Sequence, residues 1–442
     1  MHMKGRCSAA DRLERLPVTR YHKFVIAIIY VSWITASMNM TGTNYNLPLV
    51  SRYFDFDTIQ SSYLSSAGFL GMMFGSLVAG YLADRIGRKR VTYLFMLLWM
   101  IGGVGSGMAV NIPMVLCCRC ISGFGLGAMT PVLSSYISEI IPSKLRGKYI
   151  TGYMMWGGAG TIAACLITML SANNIGWRGI YVIEAATGIV FLLIIKFVPE
   201  SARWYESRGK YEEADKIVEF WERKAEKELN GQPLPPVQTL SHEPQTAGSD
   251  RLLSRKYVKI LIMGFLWYFT LMAFDFGLSS WLTTLLMSKG FDVISSTGFA
   301  AIGVLGTIPA MFATTWLANR VGRKWTIMLG SVLAAATAYI YGLSGTVAAL
   351  IVTGLLFQFG RGVLTQASVV YLPELFDTSV RSTGSGLIMA IGRVGSTCGP
   401  ILLAMAMSYG MNTAFYVAAA VALFSGLVVM LFGPETKNKI MK

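Results

Sequence analysis

The chain has 442 residues, of which 54% are hydrophobic and 14% charged, and its formal net charge is +15. Soluble domains carry roughly 25% charged residues, so the composition excludes a chain built from ordinary soluble domains. A basic chain could bind nucleic acid, but these basic residues cluster on alternate connections between apolar segments, which is the pattern of a membrane protein.

Twelve long apolar segments follow one another along the chain. A helix needs about 20 mostly apolar residues to cross a bilayer, so each segment is predicted to be a membrane span. The alternating ten-residue segments of a membrane barrel are not found. The predicted spans are residues 24–50, 62–83, 91–110, 114–140, 149–171, 178–199, 257–288, 296–319, 325–344, 347–374, 380–407 and 412–433.

The basic residues orient these spans. If the connections alternate between two sides, 32 of the 38 Lys and Arg residues lie on the side shared by both termini. Positive charge marks the cytoplasmic side, so we expect a multi-pass protein of the plasma (inner) membrane with both termini cytoplasmic. Nucleic acid is not expected as a partner. The six exceptions are Arg52, Arg119, Arg178, Lys289, Arg361 and Arg393.

Small residues mark the second and fourth spans. Two glycine pairs are spaced four residues apart, Gly71/Gly75 and Gly123/Gly127. This spacing predicts close approach of helix backbones. The fourth span also begins with a cysteine cluster, but no His is nearby and the spacing is not that of paired Cys-x-x-Cys motifs, so no metal site or cofactor is predicted. The cluster consists of Cys117, Cys118 and Cys120.

A long polar stretch, Pro199 to Arg255, divides the spans six and six. Within it, opposite charges at helical spacing between Glu206 and Asn230 predict a surface helix. Gly231 to Asp250 is rich in Pro and polar residues, which is typical of a flexible linker. The predicted domains are an N-terminal segment, a six-helix half, the linker with surface helices, a second six-helix half and a tail, at 1–23, 24–199, 200–256, 257–433 and 434–442.

Three motifs recur at one offset of 235 residues. ADRIGRK from Ala83 returns as ANRVGRK from Ala318, and PES from Pro199 returns as PET from Pro434. Three motifs with one offset indicate parallel repeats of six spans, with a substrate site expected where the halves meet near the middle of the membrane. The third repeated motif is Tyr136, Glu139 and Arg146 against Tyr371, Glu374 and Arg381.

These motifs together resemble the major facilitator superfamily. The resemblance rests on GYLADRIGRKR (from Gly80), RCISGFGLGAMTPVLSSYISEIIPSKLRGK (from Arg119), PESARW (from Pro199), YLPELFDTSVRSTGSG (from Tyr371) and PETK (from Pro434), and it covers essentially the whole chain. It implies an all-α membrane protein with twelve transmembrane helices in two six-helix pseudo-repeats, the major facilitator fold. It also implies a secondary active transporter that works by alternating access. No Walker-type loop is present for ATP, and no enzyme chemistry is expected.

In this superfamily, the loop between the second and third spans makes charge contacts that hold the cytoplasmic side shut, and Gly87 would permit its tight turn. The alternative is that these charges only anchor the helices at the membrane surface. Asn319 replaces the acid in the second copy, so the second gate is expected to be weaker. The predicted gate and switch residues are Asp84, Arg85, Arg88, Glu139, Arg146, Glu374 and Arg381.

Charges inside the membrane are costly, at about 2.5–3.5 kcal/mol each on the insertion scale, so they point to function. Arg119 and Asp275 are the candidates for proton coupling, the first because the superfamily links an Arg at this position to protons. The alternatives are an anchor at the extracellular side for Arg119 and a buried arginine partner for Asp275. With Arg361 and Arg393, these residues have no charged counterpart at the repeat offset, which favours contact with an asymmetric ligand.

Trp156 in MWGGAG and Arg393 in GRVGSTCGP make the chain similar to the organic-ion branch of the superfamily, which includes nicotinate-type carriers. In that branch an Arg at this position accompanies anionic substrates, and an Arg can hold a carboxylate through two hydrogen bonds. We therefore expect a small organic anion, for example an aromatic carboxylate such as nicotinate. The predicted substrate-binding residues are Arg393, Arg361, Trp156, Asn39, Asn44, Tyr268 and Phe274.

Departures from the family leave alternatives open. Many proton-coupled aromatic-acid carriers have an acid in the first span where this chain has Asn39, so Asp275 is the candidate to replace it. The usual sugar-porter motifs of the seventh and tenth spans are missing, which disfavours a neutral-solute or sugar facilitator without removing it. A transport-dead ligand sensor is a further alternative. The expected partners are a small-molecule substrate, protons and the lipid bilayer, with the chain acting as a monomer.

Overall fold

All regular structure in the described part of the chain is helical. Eleven of its helices are long and apolar enough to cross a membrane by length and hydropathy. The predicted third span, the helix Arg88–Gly107, is not among these eleven because it begins with three basic residues in a row; with it, the described residues form twelve long helices at the predicted spans. The computed structural model describes residues 7–229, 234–237, 254–377 and 380–437, without the side chains of 255, 256, 381 and 382.

The twelve predicted spans are therefore confirmed. We call the membrane face where the first span begins and the twelfth ends the terminus face, and the opposite one the far face. In chain order the spans are Arg20–Phe54, Thr58–Ile86, Arg88–Gly107, Ile112–Ile140, Ser143–Ser171, Gly176–Phe197, Arg255–Met287, Val293–Arg320, Arg323–Leu343, Val347–Glu374, Arg381–Met407 and Thr413–Phe432.

Three of the spans are interrupted. The fourth changes helix at Ala128, and the eighth divides into Val293–Val304 and Thr307–Arg320. The sixth contains a short 3₁₀ turn, Thr187–Val190, between two α-helical parts. Such a tighter turn inside a longer helix changes the direction of the side chains on either side of it.

Each half contains the same tight turn on the terminus face. Gly87 (φ 102°) joins the second and third spans, and Gly322 (φ 111°) joins the eighth and ninth. Only glycine adopts such a backbone readily. A Cβ would also collide with a carboxylate, 2.2 Å from Glu200 in the first turn and 2.5 Å from Glu435 in the second. Both carboxylates accept backbone N–H groups from the helix that follows the turn.

The repeated charges occupy equivalent positions in the two halves. Arg88 Nε lies 3.0 Å from Glu139 Oε1, and Arg323 Nε lies 3.2 Å from Glu374 Oε2. In each half this ion pair joins the span after the tight turn to the next span along the chain. The predicted pseudo-repeat is thus present in the side-chain contacts as well as in the amino-acid sequence.

A second repeated contact joins a tyrosine of the fourth or tenth span to the proline that follows the last span of the same half. The Tyr136 hydroxyl donates to the carbonyl oxygen of Pro199 at 2.6 Å, and the Tyr371 hydroxyl donates to that of Pro434 at the same distance. Both tyrosines are buried, and a buried hydroxyl is stable only when it is hydrogen-bonded. The Pro-Glu motif after the last span of each half is therefore held by that half.

The second and fourth spans approach closely at the predicted glycines. A Cβ on Gly71 would lie 2.0 Å from the Cys120 carbonyl oxygen, and one on Gly123 would lie 2.0 Å from that of Gly68. Real Cβ atoms cannot come so close, so only glycine allows this backbone separation. The prediction of close helix packing from glycine spacing is confirmed.

We expect Gly71→Ala to lower the thermal unfolding temperature of the purified protein, because the added methyl group meets backbone that cannot move aside. Overpacking of this kind costs about 1–3 kcal/mol. Gly80→Ala is the matched control on the same helix, since a Cβ there has no neighbour within 4 Å. Both changes remove the same glycine flexibility. Equal unfolding temperatures for the two variants would contradict the packing argument.

The two halves meet on the far face and separate toward the terminus face. Ser66 Oγ donates to the Thr397 carbonyl at 2.8 Å, and Cys165 Sγ lies 3.5 Å from the Thr297 carbonyl oxygen. The far part of the eighth span packs on the fifth span, whereas the main neighbours of Thr307–Arg320 are the ninth and tenth spans. A cavity between the halves can therefore open to the terminus face.

Three helices outside the membrane lie on the terminus face of the first half: the N-terminal helix Ala9–Glu14, the short helix Ala202–Ser207 and the helix Tyr211–Glu228. The helix Tyr211–Glu228 falls within the stretch where the sequence predicts a surface helix. Its Glu222 binds Arg12 at 2.5 Å and Arg15 at 2.7 Å. Burial alone would raise the pKa of Glu222, but hydrogen bonds from these two arginines hold it below its ordinary value. Of the predicted flexible linker Gly231 to Asp250, only residues 234–237 are described.

Candidate functional site

A cavity of about 490 Å³ lies between the halves, near the middle of the membrane. The first and fifth spans line it from one half, and the seventh, eighth and tenth spans line it from the other. This is the place where the repeat predicts a substrate site. Polar residues on its wall include Thr41, Asn44, Asp275, Gln358, Arg361 and Gln366.

An ion pair faces this cavity from the second half. Arg361 Nε, on the tenth span, lies 2.5 Å from Asp275 Oδ1 on the seventh. Arg361 Nη1 also donates to Gln358 Oε1 at 2.7 Å, one helical turn before it. Asp275 is buried, with 7% of its surface exposed. The arginine partner that sequence reasoning left as an alternative for Asp275 is Arg361.

The remaining predicted substrate residues lie outside the cavity wall. Arg393 lies beside Tyr268 of the seventh span, and no ion pair to its guanidinium occurs within the described ranges. Phe274 is buried, with its ring 6.2 Å from that of Phe357. Trp156 is half-exposed, although its neighbours on the fifth span line the cavity. Of the seven residues, only Asn44 and Arg361 reach the wall, and the substrate-binding roles of all seven stay predictions.

A second set of buried charges lies inside the first half. Glu184 on the sixth span is fully buried, and Arg119 on the fourth is 3% exposed. Neither oxygen of Glu184 has a hydrogen-bond partner among the described residues, and the same is true of Nε and Nη1 of Arg119. The Arg119 guanidinium carbon lies 5.3 Å from the ring centre of Tyr181. These opposite charges are neighbours that do not pair directly.

The first span provides the wall of this charge cluster. Gly42 makes room for the acid, since a Cβ there would lie 1.6 Å from Glu184 Oε1. Asn39 accepts a hydrogen bond from Ser122 at 3.4 Å, and its own Nδ2 has no partner in the part of the chain that is described. The predicted Asn39 therefore lies with the buried charges and not on the cavity wall.

A small void lies beside Arg119, next to the large cavity. It has a volume of about 10 Å³ and touches Arg119 and Ser65, whose hydroxyl also lacks a partner among the described residues. That volume is roughly what one water molecule needs. Met40 and Asn44 therefore border both the void beside Arg119 and the large cavity.

Sequence reasoning missed Glu184. It lies inside the predicted span 178–199, where the cost of an embedded charge applies as it does to Asp275. Its counterpart at the repeat offset is Ala419, so it also lacks a charged equivalent in the second half. Both signals can be read from the sequence, and together they make Glu184 a candidate for proton coupling in the same way as Arg119 and Asp275.

The predicted gate residues of the first half form a chain of contacts. Arg88 Nη2 lies 3.0 Å from Asp84 Oδ1, in addition to its pair with Glu139. Arg85 stacks over the ring of Tyr81 at 4.4 Å. The chain therefore gives Arg88 two carboxylate partners on the terminus face.

Other gate residues have different partners. Arg146 Nη2 lies 3.9 Å from Glu14 of the N-terminal helix. In the second half, Glu374 binds Arg323 and accepts a hydrogen bond from Thr436 at 2.5 Å, while the Arg381 side chain lies outside the described residues. Across the described ranges, no ion pair joins the two halves on the terminus face.

Comparisons with known proteins cover almost the entire chain. A family model described as sugar (and other) transporter matches residues 18–442. The niacin transporter of Acinetobacter baylyi is 28% identical over 438 residues, which cover 98% of each chain. A putative niacin/nicotinamide transporter of Bacillus subtilis is 25% identical over 94% of this chain and 96% of its own.

A solved structure shares the fold. The Escherichia coli xylose transporter, in a partially occluded inward-open conformation, matches 95% of this chain and 100% of its own with a TM-score of 0.74. The sequence identity in this match is 17%, so the likeness concerns the arrangement of helices alone.

Proposed function

Because the chain belongs to the sugar (and other) transporter family of the major facilitator superfamily, we propose that it moves a small organic anion across the plasma membrane by alternating access. Membership makes it a multi-pass membrane transporter and not an enzyme. The proposal adds the substrate class, an aromatic carboxylate such as nicotinate, and coupling of its movement to protons.

The observation that carries the substrate class is the presence of Arg361 on the cavity wall. A guanidinium has five N–H donors in a rigid fork. Asp275 takes the donor at Nε and Gln358 takes one at Nη1, which leaves donors that can hold a carboxylate. The substrate would bind Arg361 beside Asp275 or displace the Asp275 carboxylate from it. Arg393 would add positive potential from the neighbouring eleventh span.

The names of two relatives support the same chemistry. One is a niacin transporter and another a putative niacin/nicotinamide transporter, and both align with nearly the full chain. Niacin is a compact aromatic ring that carries a carboxylate. A cavity of about 490 Å³ has room for such a molecule.

We assign proton coupling to Glu184 and Arg119. A buried carboxylate without a hydrogen bond is costly, and a proton removes its charge. When the proton leaves, the carboxylate can turn to pair with the nearby Arg119. The void beside Arg119 gives a proton a short path to the cavity through Asn44. In this proposal, Asp275 orients Arg361. The sequence-based assignment of Asp275 as the proton carrier is the alternative to proton coupling through Glu184.

The orientation follows from the charge distribution. We propose that the terminus face is cytoplasmic, because the alternating connections predicted from the sequence assign 32 of the 38 Lys and Arg residues to the side of both termini. The cavity would then open to the cytoplasm between the fifth span and the terminus-face part of the eighth, Thr307–Arg320. One chain supplies both halves of the cavity wall, so a monomer is sufficient for transport.

The test is uptake of labelled nicotinate and benzoate into proteoliposomes, with and without an inward proton gradient. We expect both acids to enter faster with the gradient, and protein-free liposomes to provide the background. Nicotinamide is the matched neutral competitor, since it replaces the carboxylate by an amide on the same ring. Equal competition by nicotinamide, or preferential uptake of a hexose, would overturn the anion proposal. Binding of nicotinate without any uptake would favour the ligand sensor.

A further inference from the structure

A second cavity lies away from the substrate path, at the terminus face of the first half. It is an open groove of about 540 Å³ between the start of the first span and the end of the helix Tyr211–Glu228. We call it the basic groove. Its lining residues are Arg20, Tyr21, Phe24, Lys224, Lys227 and Glu228.

One wall of the basic groove lies at the boundary of the membrane. The Tyr21 hydroxyl donates to the carbonyl oxygen of Phe197, the last residue of the sixth span, at 2.7 Å. The ring of Phe24 packs edge-on against that of Phe197 at 5.4 Å, and 44% of Phe24 stays exposed. Aromatic side chains at the ends of membrane helices lie at the boundary between lipid headgroups and acyl chains, so we expect the groove to border that boundary of a leaflet.

The charges on the basic groove are unbalanced. Arg20, Lys224 and Lys227 line it, and none of them has an ion pair within the described ranges. The one acid, Glu228, accepts the backbone N–H of Arg20 at 2.7 Å. Lys224 Nζ stands 4.7 Å above the ring of Tyr21, which holds its ammonium group over the groove. The groove therefore combines an excess of positive charge with an apolar edge.

We propose that the basic groove binds an anionic phospholipid of the leaflet on the terminus face. Its phosphate would lie among Arg20, Lys224 and Lys227, and one acyl chain would run along Phe24. Basic clusters immediately outside a membrane span attract anionic lipid headgroups, and each Lys or Arg adds to the attraction. The bound lipid would join the first span to the helix Tyr211–Glu228. The site is independent of the transported substrate.

The experiment is native mass spectrometry of the full chain in detergent, titrated with phosphatidylglycerol or phosphatidylcholine. Wild type is expected to retain phosphatidylglycerol preferentially. The double variant Lys224→Gln/Lys227→Gln is expected to lose on the order of tenfold in apparent affinity. Lys210→Gln/Lys216→Gln removes the same charge from positions outside the groove and is expected to bind as wild type does. Thermal unfolding checks that each variant is folded. If the double variant does not fold, Lys227→Gln alone takes its place, because Lys227 is exposed.

Two further measurements separate a lipid from a free anion. Millimolar inorganic phosphate is expected to leave bound phosphatidylglycerol in place, and Phe24→Ser, which keeps every charge, is expected to weaken its retention. Displacement by inorganic phosphate would make the groove a simple anion site and overturn the lipid proposal. Equal retention by the groove variant and its charge-matched control would also overturn it.

Discussion

Replacing Arg361 by Gln is expected to reduce uptake of the preferred carboxylate at least about 100-fold. The substitution removes the cavity cation that would hold the substrate, and it leaves Asp275 buried without its partner at 2.5 Å. Truncating one partner of a buried, hydrogen-bonded charge pair between two binding partners costs roughly 2–5 kcal/mol of binding free energy, and 1.4 kcal/mol corresponds to a factor of ten in affinity. Initial uptake rates over a range of substrate concentrations, in proteoliposomes of equal protein content, measure the effect.

Companion variants separate charge loss from misfolding. Arg361→Gln/Asp275→Asn keeps a neutral hydrogen-bonding pair, so it should recover thermal stability while uptake of the carboxylate stays low. Arg361→Lys keeps the positive charge without the planar fork of donors, and its carboxylate uptake should fall about tenfold. Arg52→Gln removes an exposed arginine at the far face and serves as the charge control. Normal carboxylate uptake by Arg361→Gln would exclude Arg361 from the binding site.

Glu184→Gln is expected to abolish accumulation driven by a proton gradient while exchange of substrate across the membrane continues. Glutamine has nearly the shape of a protonated glutamate, so the halves can still move, but the side chain cannot release a proton. A gradient of one pH unit supplies about 1.4 kcal/mol, which supports at most about tenfold accumulation per coupled proton. The variant should therefore accumulate no substrate above its external concentration. Counterflow with preloaded substrate measures the exchange that should remain.

Asp275→Asn is the discriminating comparison. If coupling belongs to Glu184 and Arg119, Asp275→Asn should weaken substrate binding and still respond to the gradient. Arg119→Gln should uncouple as Glu184→Gln does, because it removes the cation beside the acid. Retained gradient-driven accumulation in Glu184→Gln, with loss in Asp275→Asn, would return the proton to the ion pair in the cavity.

Much of the fold is predictable because its information is local. Hydropathy over about 20 residues identifies a span wherever it lies in the bundle. The repeated motifs predict equivalent contacts, and the pairs of Arg88 with Glu139 and of Arg323 with Glu374 bear this out. The glycine contact at Gly71 is readable for the same reason, since a helix can approach another only where side chains are absent.

The site is less predictable, because it depends on how each helix is rotated. Successive helix residues point about 100° apart, so Trp156 lies outside the cavity wall that Gly157 and Gly158 line. Residue type identified Arg361 and Asp275 as unusual, but only the packing of the seventh against the tenth span reveals them as partners. Glu184 was readable as an embedded acid, and only its position beside Arg119 in space gives it a role.

The unequal copies of the turn have an evolutionary consequence. In the first half Arg88 holds two carboxylates, those of Asp84 and Glu139, whereas Arg323 in the second half has the single carboxylate of Glu374 within the described residues. A mutation that removes one acid of the first half leaves Arg88 with a carboxylate partner. The loss of Glu374 leaves Arg323 with none among the described residues. The two halves should therefore differ in how well they tolerate loss of an acid, and substitutions at Glu374 should be rarer among relatives than substitutions at Glu139.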